Sequence, residues 1–470
     1  MKYLKTLLTI FTLAATLPTL AGSGPFSVHR AASPDQLQAS PMLDQMMVSP
    51  FNDDGGSLSS SSSYYYWVAD ASSQRSDLRL TKDRLNDRVV VAFDDGTATP
   101  ALFDQPFQVN AIDGGDQTAP AVAQSAQGGS VMIWQGDDGD GDGIFGRIFA
   151  ADGSAVTGQF QINSTTVGDQ ANPQLSVQPG GSFVVVWQGS DADGFGVYFQ
   201  RFAADGTPLG AETLVNQDQT GDQEGAEVMV AANGNFVVLW QGSDGDGSGV
   251  LARTYDSSGQ ATSGEFICNG STAGDQEEPS GAMAADGRFV VAWQSHHGND
   301  QGVRAQLYAA NGAAVGLELE VNTTGTSQQE IPAVAMSDNG AFTVVWQGSD
   351  SGGDGVTARS FDAFGVALNA NDVVVNTDQS GLQESPQVAM DASGGSLVVW
   401  RDNSSKEIRG RRFDAAGQPH ADEFRVSELN ASKPEAPAAS LAGDGSSYIV
   451  LYEAGDGSGR GIFAVWVPLQ

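Results

Sequence analysis

The residues best suited to chemistry in this 470-residue chain are carboxylates set in glycine-rich loops. Asp137 to Gly143 reads DDGDGDG, and shorter versions recur as Asp191-Ala-Asp193-Gly, Asp244-Gly-Asp246-Gly, Asp350 to Gly355 and Gly455-Asp456-Gly. Carboxylates separated by glycine can converge on one hard cation through oxygen ligands. Asp138, Asp140 and Asp142, followed by Gly143, have the spacing that opens a calcium loop. Together with Asp191, Asp193, Asp244 and Asp246 they are the candidate metal ligands, and calcium is the candidate cofactor. Phe149 stands at the twelfth position, where a helix-loop-helix site needs Glu, and Gly146 stands at the ninth, so the loop is not of that kind. The same Asp-Gly pairs also make hairpin turns without any metal.

Other candidates are weaker. Glu224, Glu277, Glu330 and Glu384 occupy corresponding slots in four successive units. Paired carboxylates can cleave glycosides, but recurrence in unit after unit points to spacing and solubility. His296 and His297 invite a metal or acid–base reading. Neighbouring side chains on a strand point opposite ways, so a solvated pair is expected. The chain has no nucleophile elbow, phosphate-binding glycine loop or zinc-type Cys/His spacing. The SxDxGxxW order of sialidase Asp boxes is absent as well. No catalytic residue is assigned, and a non-enzymatic role is expected.

The elements that carry these loops repeat. Trp134, Trp187, Trp240, Trp293, Trp346 and Trp400 lie 53 or 54 residues apart, each ending an apolar run such as SFVVVWQG, and Tyr452 continues the series. Gln117, Gln170, Gln223 and Gln276 recur with the same period. Each unit reads as four strands between Gly/Asp turns: NPQLSVQ, SFVVVWQG, FGVYFQRF and TLVN in the second. Four antiparallel strands per fifty-odd residues, repeated, describe the blades of a β-propeller. The expected fold is all-β with seven four-stranded blades, eight being the alternative. The orphan strand near Phe107 should close the ring against the one near Phe463. In such a meander the connection into each unit and the Asp-rich turn lie at one end, so one face is acidic and the other carries plain glycine turns. The repeated Gln and Asn are expected to hydrogen-bond the loops. Cys268 takes a slot filled elsewhere by Ile162, Val215 and Val321, and is expected to be buried and inert.

Residues 1–21 have two early lysines, a short apolar stretch and small residues before Gly22, and are expected to be a secretory signal peptide. Residues 22–61 read as a flexible low-complexity leader, 62–100 as a degenerate partial repeat, and 101–470 as the propeller. The chain is therefore expected to be exported, to the periplasm, cell surface or extracellular space. A net charge of −35 disfavours nucleic acid and anionic membrane as partners. No later segment is long and apolar enough for a spanning helix.

The motif order FxVN, GDQ, FVVVWQ, a DG-rich loop, GVxxRxF and a DxxG turn resembles a largely uncharacterised repeat of exported bacterial proteins, often found beside calcium-binding modules. The resemblance spans roughly residues 101–470 and implies a propeller; it implies no activity. The expectation is a monomeric binding or display module that takes a protein or glycan on its acidic face. A polysaccharide hydrolase or lyase is the rival, and a structural surface protein without a discrete ligand is the third reading. If the Asp-rich loops hold calcium, millimolar calcium raises the melting temperature more than sodium of equal ionic strength. Joint replacement of Asp138, Asp140 and Asp142 by Asn then shrinks that gain in calorimetry, while identical curves mark the loops as plain turns.

Overall fold

The structure, a computed structural model, describes residues 106–468 apart from short breaks at 112–114, 298–299, 324–327, 351–352, 421, 428–432 and 442–446. In the first hundred residues it describes strand backbone only. The chain divides into two units, Met1–Thr99 and Pro100–Gln470. In the first, Phe26–Ala31 and Val48–Asn52 flank Ser63–Asp70 in an antiparallel sheet, and Leu78–Asp83 pairs with Arg88–Phe93. The first two strands fall within the stretch read as a leader, and the other three within the degenerate repeat. The expected signal peptide lies outside the described residues.

The second unit is a ring of seven four-stranded antiparallel sheets, so seven blades form rather than eight. Blade 2 shows the plan: strand A Gln170–Val177, B Phe183–Ser190, C Phe195–Phe202 and D Thr213–Leu214. The B strands are near-continuous β-branched and aromatic runs because both of their faces are covered. Val184, Val186 and Phe199 of blade 2 pack with Val228, Phe236 and Trp240 of blade 3 in one cluster, and equivalent clusters fill the other junctions. Trp134, Trp187, Trp240, Trp293, Trp346 and Trp400 are each 0–1% exposed. They are the large wedges that a blade, too thin for a core of its own, drives into its neighbour.

The seven A strands, Thr118–Gln124, Gln170–Val177, Glu224–Val230, Asp275–Met283, Gln329–Met336, Gln383–Met390 and Glu435–Leu441, touch one another in sequence around the ring and line its central channel. Closure follows the sequence expectation. Phe107–Gln108 supplies strand D to blade 7, pairing with Phe463 and Ala464 of the last strand, Arg460–Pro468. The Phe107 ring stacks on Trp466 at 5.3 Å, and the Val109 amide donates to the Ile462 carbonyl at 2.7 Å.

Every A strand breaks register near its start, for example between Ala171 and Gln174 and between Glu277 and Ser280. The extra residue is left-handed in all seven blades: Ala119, Asn172, Gly225, Glu278, Ile331, Ser385 and Ala436, with φ from 45° to 58°. Only Gly225 takes this conformation without steric cost, and a β-branched residue such as Ile331 rarely does. Proline follows at every blade but the third, where Ala226 stands. The missing proline donor costs nothing because the bulge has already interrupted the ladder.

Replacing Trp187 by Ala leaves a cavity between blades 1 and 2 and is expected to cost about 3–5 kcal/mol in chemical denaturation. Leu317→Ala, at a side chain 86% exposed, should change stability by less than about 0.5 kcal/mol.

Candidate functional site

The loops at the acidic end are fastened by the residues that recur. Asp169 accepts the Asp142 amide at 3.1 Å, Asp222 that of Phe195 at 3.0 Å, Asp275 that of Ser248 at 3.1 Å and Asp116 that of Arg460 at 2.9 Å, so each carboxylate caps the turn of the preceding blade. The buried Asn163 side chain accepts the Ile144 amide at 2.8 Å and donates to Gln170 at 2.6 Å. Asn110–Gln117, Asn216–Gln223 and Asn269–Gln276 repeat that clasp. In four blades the Gln after Trp faces the next bulge: Gln135 accepts the Asn172 amide at 3.1 Å, Gln241 that of Glu278 at 3.2 Å, and Gln294 and Gln347 those of Ile331 and Ser385 at 3.3 Å. These bonds satisfy polar groups that the packed blades shield from water.

The Asp-rich turns carry their leading carboxylates inward. Asp138, Asp191 and Asp244 each accept an amide of their own turn, from Asp140, Asp193 and Asp246 at 3.0–3.2 Å. Their second oxygens accept from Gln161, Asn216 and Asn269 at 2.9–3.1 Å. Asp142 accepts from Gln135 at 2.7 Å. Among the described residues no three His, Cys, Asp or Glu side chains are grouped so as to hold a metal ion. The candidate ligands thus share one end of the ring and do not converge in threes. Glu330 and Glu384 lie at the start of their own A strands, as Glu277 does in blade 4, while His297 lies outside the described side chains. Cys268 is buried, its thiol pushed up to about 12 by desolvation, as an inert core residue should be.

The cavity of this face, about 600 Å³, lies at the channel mouth. It is built from the A-strand starts of blades 2 to 6: Asn172 and Gln174, Glu224 and Glu227, Glu277 and Glu278, Ile331 and Pro332, and Gln387, with Gln188 and Gln241 behind them. The lining contains four glutamates and, among the described residues, no Lys, Arg, His or aromatic side chain. Glu227 is the innermost of these carboxylates by its contacts. The Gly281 amide of the next strand A donates to it at 2.7 Å, and the Ser280 hydroxyl is its second partner. Although part of its surface stays exposed, the channel wall surrounds it, and this desolvation pushes its carboxyl pKa up to about 7 against the pull of those hydrogen bonds, with the Glu278 charge adding to the rise. Glu278 is raised in turn by desolvation and by the charges of Glu277 and Glu224.

No protein-family model matches the chain, and no curated protein matches it. Solved structures do. A protein of unknown function from Dyadobacter fermentans shares 12% identity, covering 78% of this chain and 98% of its own, with a TM-score of 0.49. An ulvan lyase of polysaccharide lyase family PL25 shares 10%, covering 77% and 96%, with a TM-score of 0.50. The β-propeller domain of the trilobed protease from Pyrococcus furiosus shares 8%, covering 75% and 95%, with a TM-score of 0.47. At such identities the likeness is one of fold.

Around the same rim, blades 6 and 7 depart from the repeat. Arg401 replaces the Gln that follows Trp, and Glu453 takes that place after Tyr452. Arg401 contacts Glu384 at 3.4 Å and Glu435 at 3.3 Å; Arg460 contacts Glu435 and Glu453, each at 2.7 Å. Glu453, 4% exposed, also accepts the Ala119 amide of blade 1 at 2.9 Å. Five consecutive blades, 3 to 7, therefore carry Glu at the start of strand A, but the last two are neutralised by arginine. Sequence reasoning found Glu224 and Glu277 and missed Glu227, Glu278, Arg401, Glu435 and Arg460. The signal was present as breaks in the repeat: Glu227 stands where other blades have Ala, Gln or Ser, and Arg401 stands where five have Gln.

A carboxyl raised from its unfolded value near 4.5 to about 7 contributes stability fully present below 4.5 and lost as pH rises through 7. Glu227→Gln keeps the acceptor for Gly281 and removes the charge. Its stability relative to the unsubstituted protein should be near zero at pH 4 and favourable by on the order of 1–3 kcal/mol at pH 8. Urea titrations across that range measure the gap, and a gap independent of pH would show that Glu227 holds no extra proton.

Proposed function

We propose that this protein is a binding module whose channel mouth takes up a cationic side chain or basic segment of a partner protein. The observation that carries this reading is the cavity lined by Glu224, Glu227, Glu277 and Glu278 with no cation among its described lining residues. Four carboxylates around a partly desolvated space repel one another; desolvation raises Glu278, and the charges of Glu277 and Glu224 add to that rise. An incoming ammonium or guanidinium group relieves that repulsion and can be hydrogen-bonded by Asn172, Gln174 and Gln241 at the rim. The charge of −35 also speeds the approach of a basic partner. A neutral glycan is served less well, because the lining offers no aromatic face on which to pack a sugar ring. Export and display outside the cell fit this role and remain part of the proposal. Calcium enters it as a competing cation.

One arrangement favours a hydrolytic reading: desolvation pushes the Glu227 carboxyl up to about 7 inside a cleft that contains other carboxyls. Release of reducing ends without new unsaturated ends from a panel of polysaccharides, abolished by Glu227→Gln, would support it.

The binding reading is tested by fluorescence anisotropy with a labelled oligolysine peptide. Joint Glu224→Gln, Glu277→Gln and Glu278→Gln should weaken binding at least about tenfold, equivalent to about 1.4 kcal/mol. Asp152→Asn, Asp205→Asn and Asp256→Asn remove the same charge from the exposed turns of the opposite face and should change it less than about twofold. Equal loss in both triples would reduce the effect to bulk charge and overturn the assignment to the channel mouth.

A further inference from the structure

The junction between blades 6 and 7 lacks two fastenings found elsewhere in the ring. At the other six junctions an Asn and a Gln seven residues apart bracket the connecting loop; here Ser427 and Pro434 stand in those places. The Ser427 hydroxyl still accepts the Ile408 amide at 3.0 Å, but proline has no side-chain amide with which to clasp it. A second fastening is an arginine on strand C that reaches the carbonyl at the end of the preceding blade. Arg147 donates to Val109, Arg253 to Val215, Arg359 to Val321 and Arg411 to Val375, at 2.6–3.0 Å. In blade 7 the corresponding residue is Val465. Blades 2 and 4 also lack the arginine, having Gln200 and Gln306, yet their junctions keep the Asn–Gln pair. Only the junction between blades 6 and 7 lacks both in the sequence.

The ion-pair cluster lies at this same place. Arg401 and Glu384 belong to blade 6, while Glu435, Glu453 and Arg460 belong to blade 7. The contact that crosses the junction is Arg401 to Glu435. The remaining pairs of the cluster orient these two groups, since Glu384 and Asn403 hold the Arg401 side and Arg460 holds the Glu435 side. We propose that blades 6 and 7 are joined by an electrostatic latch, and that this junction is the seam at which the ring opens when the latch is weakened. Elsewhere the side-chain fastenings described above are neutral amides or bonds between one charged group and a backbone carbonyl or amide, which salt affects less than a pair of opposite charges. At this junction the side chains at 20–40% exposure remain within reach of mobile ions.

The test is hydrogen exchange read by mass spectrometry on the full chain. In Glu435→Gln, Arg401 keeps Glu384 and Arg460 keeps Glu453, so each blade retains an internal pair while the crossing contact and the Arg460–Glu435 pair that orients it are lost. Peptides covering 383–402 and 434–461 should exchange at least tenfold faster, while those covering blades 2 to 4 stay unchanged. If this variant does not fold, the unsubstituted protein in 0.1 M and in 1 M sodium chloride gives the same comparison, because the screening length falls from about 10 to 3 Å. Salt should then accelerate exchange at the seam alone. Faster exchange spread evenly around the ring, or none at the seam in either arm, would overturn the proposal.

Discussion

Everything in this ring depends on what happens between blades. A four-stranded sheet has two faces to cover, and each blade covers them with its two neighbours. The buried Trp of every B strand and the apolar clusters spanning the junctions supply the driving force. Apolar packing is non-directional, so it cannot fix the angle between blades or keep the innermost strand in register. That task falls to hydrogen bonds. Strand A has a neighbour on one side only, and its inward amides would remain unpaired without side chains reaching across from the preceding blade. Ser176, Glu227 and Ser280 do this for Val230, Gly281 and Val334.

The candidate site arises from the same requirement. Residues near a strand-A start are pulled toward the channel by a left-handed bulge, and their backbone amides are held by the neighbouring Gln. What remains to vary is the side chain at the bulge and those beside it. Blades 3 and 4 place Glu there; blades 6 and 7 place Glu and then neutralise it with arginine. The rim is therefore uniform in backbone and polarised in charge, and this separates a scaffold that repeats from a surface that does not.

Much of the scaffold was legible in the sequence because a wedge of fixed size at a fixed interval leaves few architectures. The Trp spacing gave the blades, and the orphan strand near Phe107 gave the closure. The GDQ and Asp-Gly motifs lie at one end of the ring as expected, and there Asp169 and Asp191 accept hydrogen bonds that fasten turns and junctions. The bulge was hidden, since nothing in Ala119 or Ile331 announces a positive φ. Glu227 was hidden for a different reason. Its altered acidity comes from the channel wall around it, contributed by strands more than fifty residues away in the chain.

The closing strand has a mechanical consequence. Phe107–Gln108 runs antiparallel to Arg460–Pro468, so residue 106 and residue 468 leave blade 7 at the same end. A pull between them would load the Phe107–Ala464 pair first, then Gln108–Phe463, then the Val109 amide, one bond at a time. Such a closure peels like a zipper and does not shear as a unit. A ring whose blades are packed together by buried apolar clusters can thus yield to modest tension along its own chain, with blade 7 giving way first.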